Sequence, residues 1–470
     1  LDWRTLAPEA QLEQWHAHLA ADRARGFDPG VAPLMRVTLA RISESDYYCC
    51  WSHHHLLLDG WCLTLVLSEL FEWYDALRAD RPPTLAPVRP YADYINWWQQ
   101  RDHSETEDYW RQTLSGMTAT TTLSPSRPAT PVGGRTYASR ERQLGEELTA
   151  ALRALAARRR LTLSTLVQGA WALALSRYSG TDDVVFGATV SGRPPELPGI
   201  ETMLGVFINT VPVRLSVPAE IAAAQWLADV QARHVEREAH ATLPLTDIQK
   251  LSDVEPGTPL FESNVIVMNY RLDERLAHGA AGLEVSELRI FDETDVPLTL
   301  QVTPGARVGL EIVFDRARFD EPAVDRMLGH VEFLLAQFVA DLDRPLSAFE
   351  IVTPGERAQL FDEFNATAAP LDQNQTVISV WETRVAQTPD ATAVVCENVR
   401  LTYAQLDDWA NRLARSLRSV VPSGTALGPD ALVAVAFKRS ERLIAAILAI
   451  WKCGAAYVPI DPDYPTDRIR

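Results

Sequence analysis

The sequence predicts an α/β protein made of two lobes followed by a third α/β region. Three observations carry this expectation. The chain has 470 residues, more than one hydrophobic core usually organises, so two or three compact parts are expected. Strand-like alternation and helix-like spacing take turns along its length. The stretch 116–134 is rich in Thr, Ser, Pro and Gly and has little to bury, and 365–374 is a second break in the pattern. The divisions that follow are a first lobe over 1–115, a linker over 116–134, a second lobe over 135–350, a linker over 351–375 and a third region over 376–470.

In the first lobe, Met35 to Ile42 alternates apolar and polar residues, Ser43-Glu44-Ser45-Asp46 turns the chain, and Tyr47 to His55 is an aromatic-rich strand. Leu63 to Arg78 has helical spacing through Leu67, Leu70, Phe71 and Leu77. Arg81 to Pro90 is a proline-rich loop, and Ala92 to Leu114 is a helix carrying Trp97, Trp98 and Trp110. In the second lobe, Gly145 to Arg158 and Leu163 to Ser176 read as helices. Asp183 to Val190 is a buried strand ending at Ser191-Gly192-Arg193-Pro194. Further strands are expected at Asn209 to Leu215, Ser263 to Asn269, Pro297 to Pro304 and Val308 to Phe314, and a helix at Glu321 to Leu342. Thr353 caps a short helix, with Glu356 at the capping-box position. The third region reads helix, strand, turn, helix, strand.

Composition narrows the function classes. The net charge of -18 repels nucleic acid phosphates and anionic lipid, so neither is expected as a partner. No apolar stretch reaches membrane-spanning length; the longest, Leu443 to Ile450, is flanked by Arg442 and Lys452. The five cysteines, Cys49, Cys50, Cys62, Cys396 and Cys453, include no C-x-x-C pair. That argues against a disulfide framework or a zinc site and fits the reducing cytoplasm. Cys49 and Cys50 lie in an apolar run and are expected to be buried, inert thiols. The chain starts at Leu1 rather than Met and stops at Arg470 without a closing element, so both ends read as cuts through a longer polypeptide.

The chemistry concentrates at Ser52-His53-His54-His55-Leu56-Leu57-Leu58-Asp59-Gly60-Trp61. On a regular strand His53 and His55 share one face and His54 takes the other, so the three histidines cannot ligate one metal together. No H-E-x-x-H or Cys/His cluster supplies further ligands, and no metal is expected. Imidazole titrates near neutrality, so a histidine at a strand end followed by an apolar turn and Asp-Gly suits acid–base work.

His54-His55-Leu56-Leu57-Leu58-Asp59-Gly60 resembles the H-H-x-x-x-D-G motif of the condensation domains of non-ribosomal peptide synthetases, whose fold is like that of chloramphenicol acetyltransferase. Further stretches resemble that family's motifs in order. They are Tyr91 to Trp97, Leu204 to Arg214, His240 through Leu243-Pro244-Leu245, and Pro259-Leu260-Phe261. The resemblance implies two chloramphenicol acetyltransferase-like lobes. It implies that His55 faces the reaction centre, that His54 points away and steadies the strand, and that Asp59 is mainly structural and pairs with Arg193 of the other lobe. Gly60 would permit close backbone approach, and Trp61 completes the motif. The implied reaction is amide bond formation between an aminoacyl or peptidyl thioester on one carrier's phosphopantetheine and the amine of an aminoacyl group on another. Upstream and downstream carrier domains are the implied partners, and no cofactor of the domain's own is needed.

The third region resembles the start of an adenylation domain, through Leu401-Thr402-Tyr403-Ala404-Gln405-Leu406 and Leu448 to Pro462. The family's phosphate loop and its ATP and magnesium chemistry are expected downstream of this chain. Ser179-Gly180-Thr181 and Ser423-Gly424-Thr425 do not continue into that loop's sequence. The family's first two motifs have no counterpart before Leu1, so the first lobe is expected to be incomplete. An epimerisation domain shares the histidine motif, but an adenylation domain is not its usual downstream neighbour. A non-catalytic docking platform is the other alternative, against which the intact His55 and Asp59 count. The subtype joining an L-configured donor to an L-acceptor is weakly favoured by the motif's wording, with Cys62 standing where Ser is commoner.

Overall fold

The computed structural model describes residues 1–123, 137–268, 283–290, 296–370, 372–421, 427–465 and 467. They fall into two compact units, Leu1–Phe361 and Asp362–Arg470. The first unit begins with helix α1 (Pro8–Arg25), which carries Pro8 at its first turn and ends at Gly26, where the backbone turns left-handed. Strands β1 (Met35–Arg41) and β2 (Tyr47–His53) form an antiparallel hairpin with Met35 opposite His53 and Arg41 opposite Tyr47. Trp15 of α1 stacks on Tyr48 at 5.1 Å and fixes the helix against the hairpin. The other face, with Val37, Leu39, Tyr47 and Cys49, is exposed. Cys49 is therefore not a core thiol and Cys50 is only half-buried, because strand alternation turns Cys49 outward with Leu39 opposite it.

Helix α2 (Gly60–Arg78) follows, then α3 (Tyr91–Gln99) and α4 (Ser104–Leu114). The single helix expected over 92–114 is thus two. At the break, Asp102 Oδ1 accepts the Ser104 N–H at 2.9 Å and the His103 ring meets the Trp98 carbonyl at 3.0 Å, so side chains take up backbone groups that a continuous helix would pair. Trp110 and Leu114 of α4, together with Met117, pack with Val185, Val211 and Leu243 of the second lobe. The stretch after α4 is also less bare than its composition implies. Met117, Thr121 and Leu123 are buried, and the Thr121 hydroxyl accepts the Val185 N–H at 2.8 Å. The remainder of that expected linker, 124–134, lies outside the described residues.

The second lobe is built on a six-stranded mixed sheet. Its parts in chain order are β3 (Tyr137–Gln143), α5 (Glu146–Arg159), α6 (Leu163–Ser179), β4 (Asp183–Val190), β5 (Asn209–Ser216), α7 (Ala223–Ala239), α8 (Leu245–Lys250), β6 (Ser263–Val267), β7 (Leu298–Thr303), β8 (Gly309–Asp315) and α9 (Glu321–Ala340). The strand order is β3-β8-β7-β6-β4-β5; β6 runs parallel to both β4 and β7, and the other pairs are antiparallel. Helices α5, α6 and α9 cover one face, where Trp171 and Phe338 pack with Phe186, Leu300, Ile312 and Phe314. The expected end of β6 at Asn269 lies outside the described residues. Sequence periodicity missed α1, α7 and β3. The last reads Tyr-Ala-Ser-Arg-Glu-Arg-Gln, an edge strand whose charges suit a border rather than a core. Thr353 and Glu356 do form a capping box on α10 (Pro354–Ala358).

The second unit contains α11 (Val377–Gln387), the antiparallel pair β9 (Thr392–Cys396) and β10 (Val399–Thr402), α12 (Tyr403–Val420), β11 (Leu432–Val435), α13 (Glu441–Lys452) and β12 (Ala456–Pro459), the last pairing parallel with β11. The Lys452 ammonium, almost fully buried, meets Asp407 at 2.9 Å and Glu382 at 3.3 Å and ties the three helices together. Residues 422–426, which include Ser423-Gly424-Thr425, lie outside the described residues.

One buried polar cluster on α7 bears on acid stability. Arg237 is 4% exposed and donates to Gln168 Oε1 at 3.1 Å and to His234 Nδ1 at 2.9 Å. Burial and the adjacent Arg237 charge push His234 down to about 4 from its ordinary 6.5, and burial raises the neighbouring Glu238. The fold therefore holds His234 neutral, while the unfolded chain takes up a proton below about pH 6.5. The contribution of His234 is expected to lower stability between about pH 6.5 and about pH 4, while the raised Glu238 carboxyl acts in the opposite direction. Urea midpoints measured across the range for the native chain and for His234→Gln check this; the variant's decline should be shallower.

Candidate active site

The hairpin ends one residue before the site. β2 stops at His53, and the alternation expected through His55 does not extend that far. The His54 N–H still donates to the Leu34 carbonyl at 2.9 Å, but its carbonyl then accepts the Leu57 N–H at 3.0 Å, closing a turn. Within that turn His54 Nδ1 accepts the Leu56 N–H at 3.0 Å. The acceptor nitrogen must carry the lone pair, so any ring proton of neutral His54 sits on Nε2. Phe27 meets the His54 ring edge-on at 6.4 Å, and the Arg36 guanidinium lies 3.9 Å from the centre of the same phenyl ring. His54 is thereby committed to local structure. His55, next in the turn, is exposed and has no hydrogen-bond, ion-pair or ring partner among the described residues. The contrast between the two histidines arises from the turn, not from opposite faces of a strand.

Leu58 and Asp59 then plunge inward. Asp59 is the N-cap of α2, its Oδ1 accepting the Cys62 N–H at 3.1 Å. The Arg193 guanidinium stands 3.4 Å from the same oxygen, and Oδ2 accepts the Phe207 N–H at 3.0 Å. Both side chains are withdrawn from water, 0% exposed for Asp59 and 4% for Arg193. Arg193 also donates to the carbonyls of Ile200 and Met203, and lies 3.9 Å over the Phe207 ring. Three donors thus meet the carboxylate, two at Oδ1 and one at Oδ2, and His55 is not one of them. The geometry is that of a pin between α2 and the segment 192–207, not of a catalytic dyad.

Around the pin, Trp61 donates its indole N–H to the Glu201 carbonyl at 3.0 Å, and its ring lies 5.6 Å from the Arg193 guanidinium. Tyr91 of α3 donates its hydroxyl to the Val206 carbonyl, and Tyr94 packs with Leu197, Ile200, Met203 and Phe207. Burial pushes the Tyr94 phenol up to about 12, so it stays protonated. Gly60 is the first residue of α2 and is not among the left-handed glycines. Close approach is seen at Gly192 and Gly205. A Cβ on Gly192 (φ 60°) would overlap the Phe207 carbonyl oxygen, and one on Gly205 would overlap the Tyr91 ring. Cys62 was not expected to take part. Its sulfur receives Arg193 at 3.3 Å and the Gly205 N–H at 3.4 Å, and donates to the Gly205 carbonyl at 3.2 Å. Its position three residues after an N-cap aspartate was the only sequence signal for that placement.

Among the described residues no group of three His, Cys, Asp or Glu side chains is arranged to hold a metal ion. No helix among them is long and apolar enough to cross a membrane. A cavity of about 520 Å³ lined by Arg142, Phe333, Thr353 and Glu356 shares no residue with this site. Removing one partner of a buried ion pair strands the other without solvent. Asp59→Ala is thus expected to cost about 3–5 kcal/mol of unfolding free energy, and Arg193→Ala a comparable amount. Because both act on one contact, the double variant should cost much less than the sum, as chemical denaturation of the four proteins will report.

Residues 2–361 match the family of the condensation domain, and residues 381–470 match the AMP-binding enzyme family. The chain is 40% identical over 474 residues to a linear gramicidin synthase of Brevibacillus parabrevis, covering 100% of this chain and 6% of that protein. It is 35% identical over 457 residues to bacitracin synthase 3 of Bacillus licheniformis, covering 96% of this chain and 7% of the relative. Thus the chain spans only a small part of these relatives. Among solved structures, a four-domain nonribosomal peptide synthetase bound to AMP and glycine superimposes with a TM-score of 0.80 at 20% identity, covering 100% of this chain and 36% of the other. The starter condensation domain of rhizomide synthetase gives 0.58 at 19% identity, over 74% of this chain and 78% of its own. Those likenesses establish a common fold, including the two lobes, and the match over residues 2–361 means that this chain belongs to the condensation-domain family.

Proposed function

We propose that the parent polypeptide uses residues 2–361 to form amide bonds in non-ribosomal peptide synthesis, with His55 at the reaction centre. The observation that carries this reading is the division of labour in the turn. His54 is tied by Leu56, Asp59 is consumed by three contacts, and His55 alone presents an unengaged imidazole. The family match and the synthetase relatives support the same reaction class.

In this reading an aminoacyl or peptidyl thioester arrives on the phosphopantetheine of an upstream carrier domain, and an aminoacyl acceptor on that of a downstream carrier. The acceptor nitrogen attacks the thioester carbonyl, the N–C bond forms and the C–S bond breaks. The amine's proton passes to His55, and the departing thiolate takes up a proton to leave as the thiol. An α-amine titrates at roughly 7.7–8.0, so a substantial fraction is already neutral near pH 7, and positioning supplies much of the remaining rate. The thioester is already activated, so the lobes need no cofactor of their own. Residues 381–470 tie this unit to an adjoining adenylation domain. Five free thiols suit a reducing compartment, and the cytoplasm is the proposed location.

Replacing the imidazole while leaving the pin intact tests the assignment. His55→Ala in the intact synthetase is expected to lower transfer between loaded carriers by roughly 10²–10⁴-fold, with an unchanged denaturation midpoint. Single-turnover transfer followed by mass spectrometry of the carriers reads the outcome. Transfer within about tenfold of the native rate would favour a docking platform over a catalyst.

A further inference from the structure

The two faces of the six-stranded sheet differ in chemistry. The helix-covered face is apolar, with Val184, Phe186, Val265, Leu298, Leu300 and Ile312. The opposite face carries a row of polar side chains, neutral at its centre and bordered by Arg214 and Glu311. Register places Thr210 beside Thr189, Asn264 in line with Gly187 and Thr299, and Gln301 between Ile266 and Glu311. An uncovered sheet face is polar because water solvates it. This one is polar and yet withdrawn from water at its centre, with Thr299, Asn264 and Gln301 at 0, 4 and 7% exposure.

Asn264 is the residue in this row that is left incomplete. Its Nδ2 donates to Thr189 Oγ1 at 3.0 Å, and Thr189 Oγ1 lies 3.4 Å from Thr210 Oγ1. Its Oδ1 is buried and has no hydrogen-bond partner among the described residues. Gly187 lies beneath that oxygen, close enough that a Cβ there would stand 2.9 Å from it, and offers no side-chain donor. Rotating the amide by half a turn would exchange the two atoms and leave the amino group unpaired instead, so one polar group is orphaned either way. A buried acceptor without a donor costs about 1–3 kcal/mol, which a ligand can recover. The row runs toward the pinned segment, since Thr210 is three residues beyond Phe207, whose N–H Asp59 binds.

We propose that Asn264 is a substrate-positioning residue whose Oδ1 accepts a hydrogen bond from a secondary amide N–H of the acyl chain delivered to the site. The proposal rests on the amide-forming reading above. Its chemistry follows from the row itself. Threonine hydroxyls and carboxamides complement neutral amides, and the groups that Asn264 itself meets, Thr189 and through it Thr210, are uncharged. Two sources of such an N–H exist in that reaction, the pantetheine arm and the peptide backbone of a peptidyl donor.

The test measures binding rather than turnover. Pantetheine and an acetylated dipeptide methylamide are titrated calorimetrically against the full chain and its variants. Asn264→Leu, which keeps the side-chain shape and removes both polar atoms, is expected to weaken one of the probes by about tenfold, the size of a single neutral hydrogen bond. Asn264→Asp, which keeps an acceptor, should bind that probe at least as well as the native chain does. Loss for pantetheine assigns the contact to the carrier arm; loss for the dipeptide assigns it to the donor backbone. Equal affinities of the native chain and Asn264→Leu for both probes, or an equal loss with Asn264→Asp, would overturn the proposal. Failure of the His55 assignment leaves these affinities unaffected, so the two ideas fall separately.

Discussion

The contact on which the unit depends is the buried pair of Asp59 and Arg193. It joins the first turn of α2 to a segment more than a hundred residues away, and it does so without water. An ion pair in that setting gives little net stability, since desolvation of both charges offsets most of their attraction. What it supplies is uniqueness. Asp59 simultaneously caps α2 and accepts the Phe207 N–H, so the helix, the 192–207 segment and the start of β5 have one mutual arrangement that leaves no charge stranded.

That arrangement explains why a motif with two histidines and an aspartate is not a triad. An orienting carboxylate needs a lone pair for the base it orients. Here the three donors that meet Asp59 all belong to the pin, and the turn between His54 and Leu57 lies between the pin and the exposed imidazole. His55 is held by backbone geometry alone. An imidazole with no partner among the described residues takes its final hydrogen bond from what enters the site, and the proposed transfer between two tethered reactants fits that arrangement.

The sequence was readable where a rule is local and hard to read where it is not. Asp183–Val190 was legible as a strand to the residue, because a short, mostly apolar run bounded by Ser-Gly-Arg-Pro has few alternatives. The six-stranded sheet's edge, β3, was not, because Arg140, Glu141 and Arg142 carry no apolar alternation and the strand exists only by pairing with β8. The Asp59–Arg193 pair was foreseen through a family resemblance; nothing in spacing alone relates residues so far apart. The hydrogen bonds of Cys62 and the steric roles of Gly192 and Gly205 escaped notice because they appear only when the two segments touch. The split of the expected long helix at Asp102 and His103 reflects side chains that compete for backbone groups, a signal too short for any window of periodicity.

The packing of α4 has a bearing on how such proteins are recombined. Trp110 and Leu114 precede, and Met117 opens, the Thr-, Ser-, Pro- and Gly-rich stretch that looks like a seam between lobes, yet they are buried with strands from beyond it. The Trp110 indole N–H reaches the His240 carbonyl, and Arg214 grips the carbonyls of Thr113 and Ser115. In terms of inheritance, α4 travels with the second lobe. A chimera joined within 115–123 would import a foreign wall into an existing core, whereas a crossover in the proline-rich stretch around 81–88, ahead of α3, keeps the α3 and α4 clusters whole and leaves the Asp59–Arg193 pin and Cys62 as the contacts to be matched across the join. The physical unit of exchange is thus set by which surfaces bury one another, not by where the composition looks loosest.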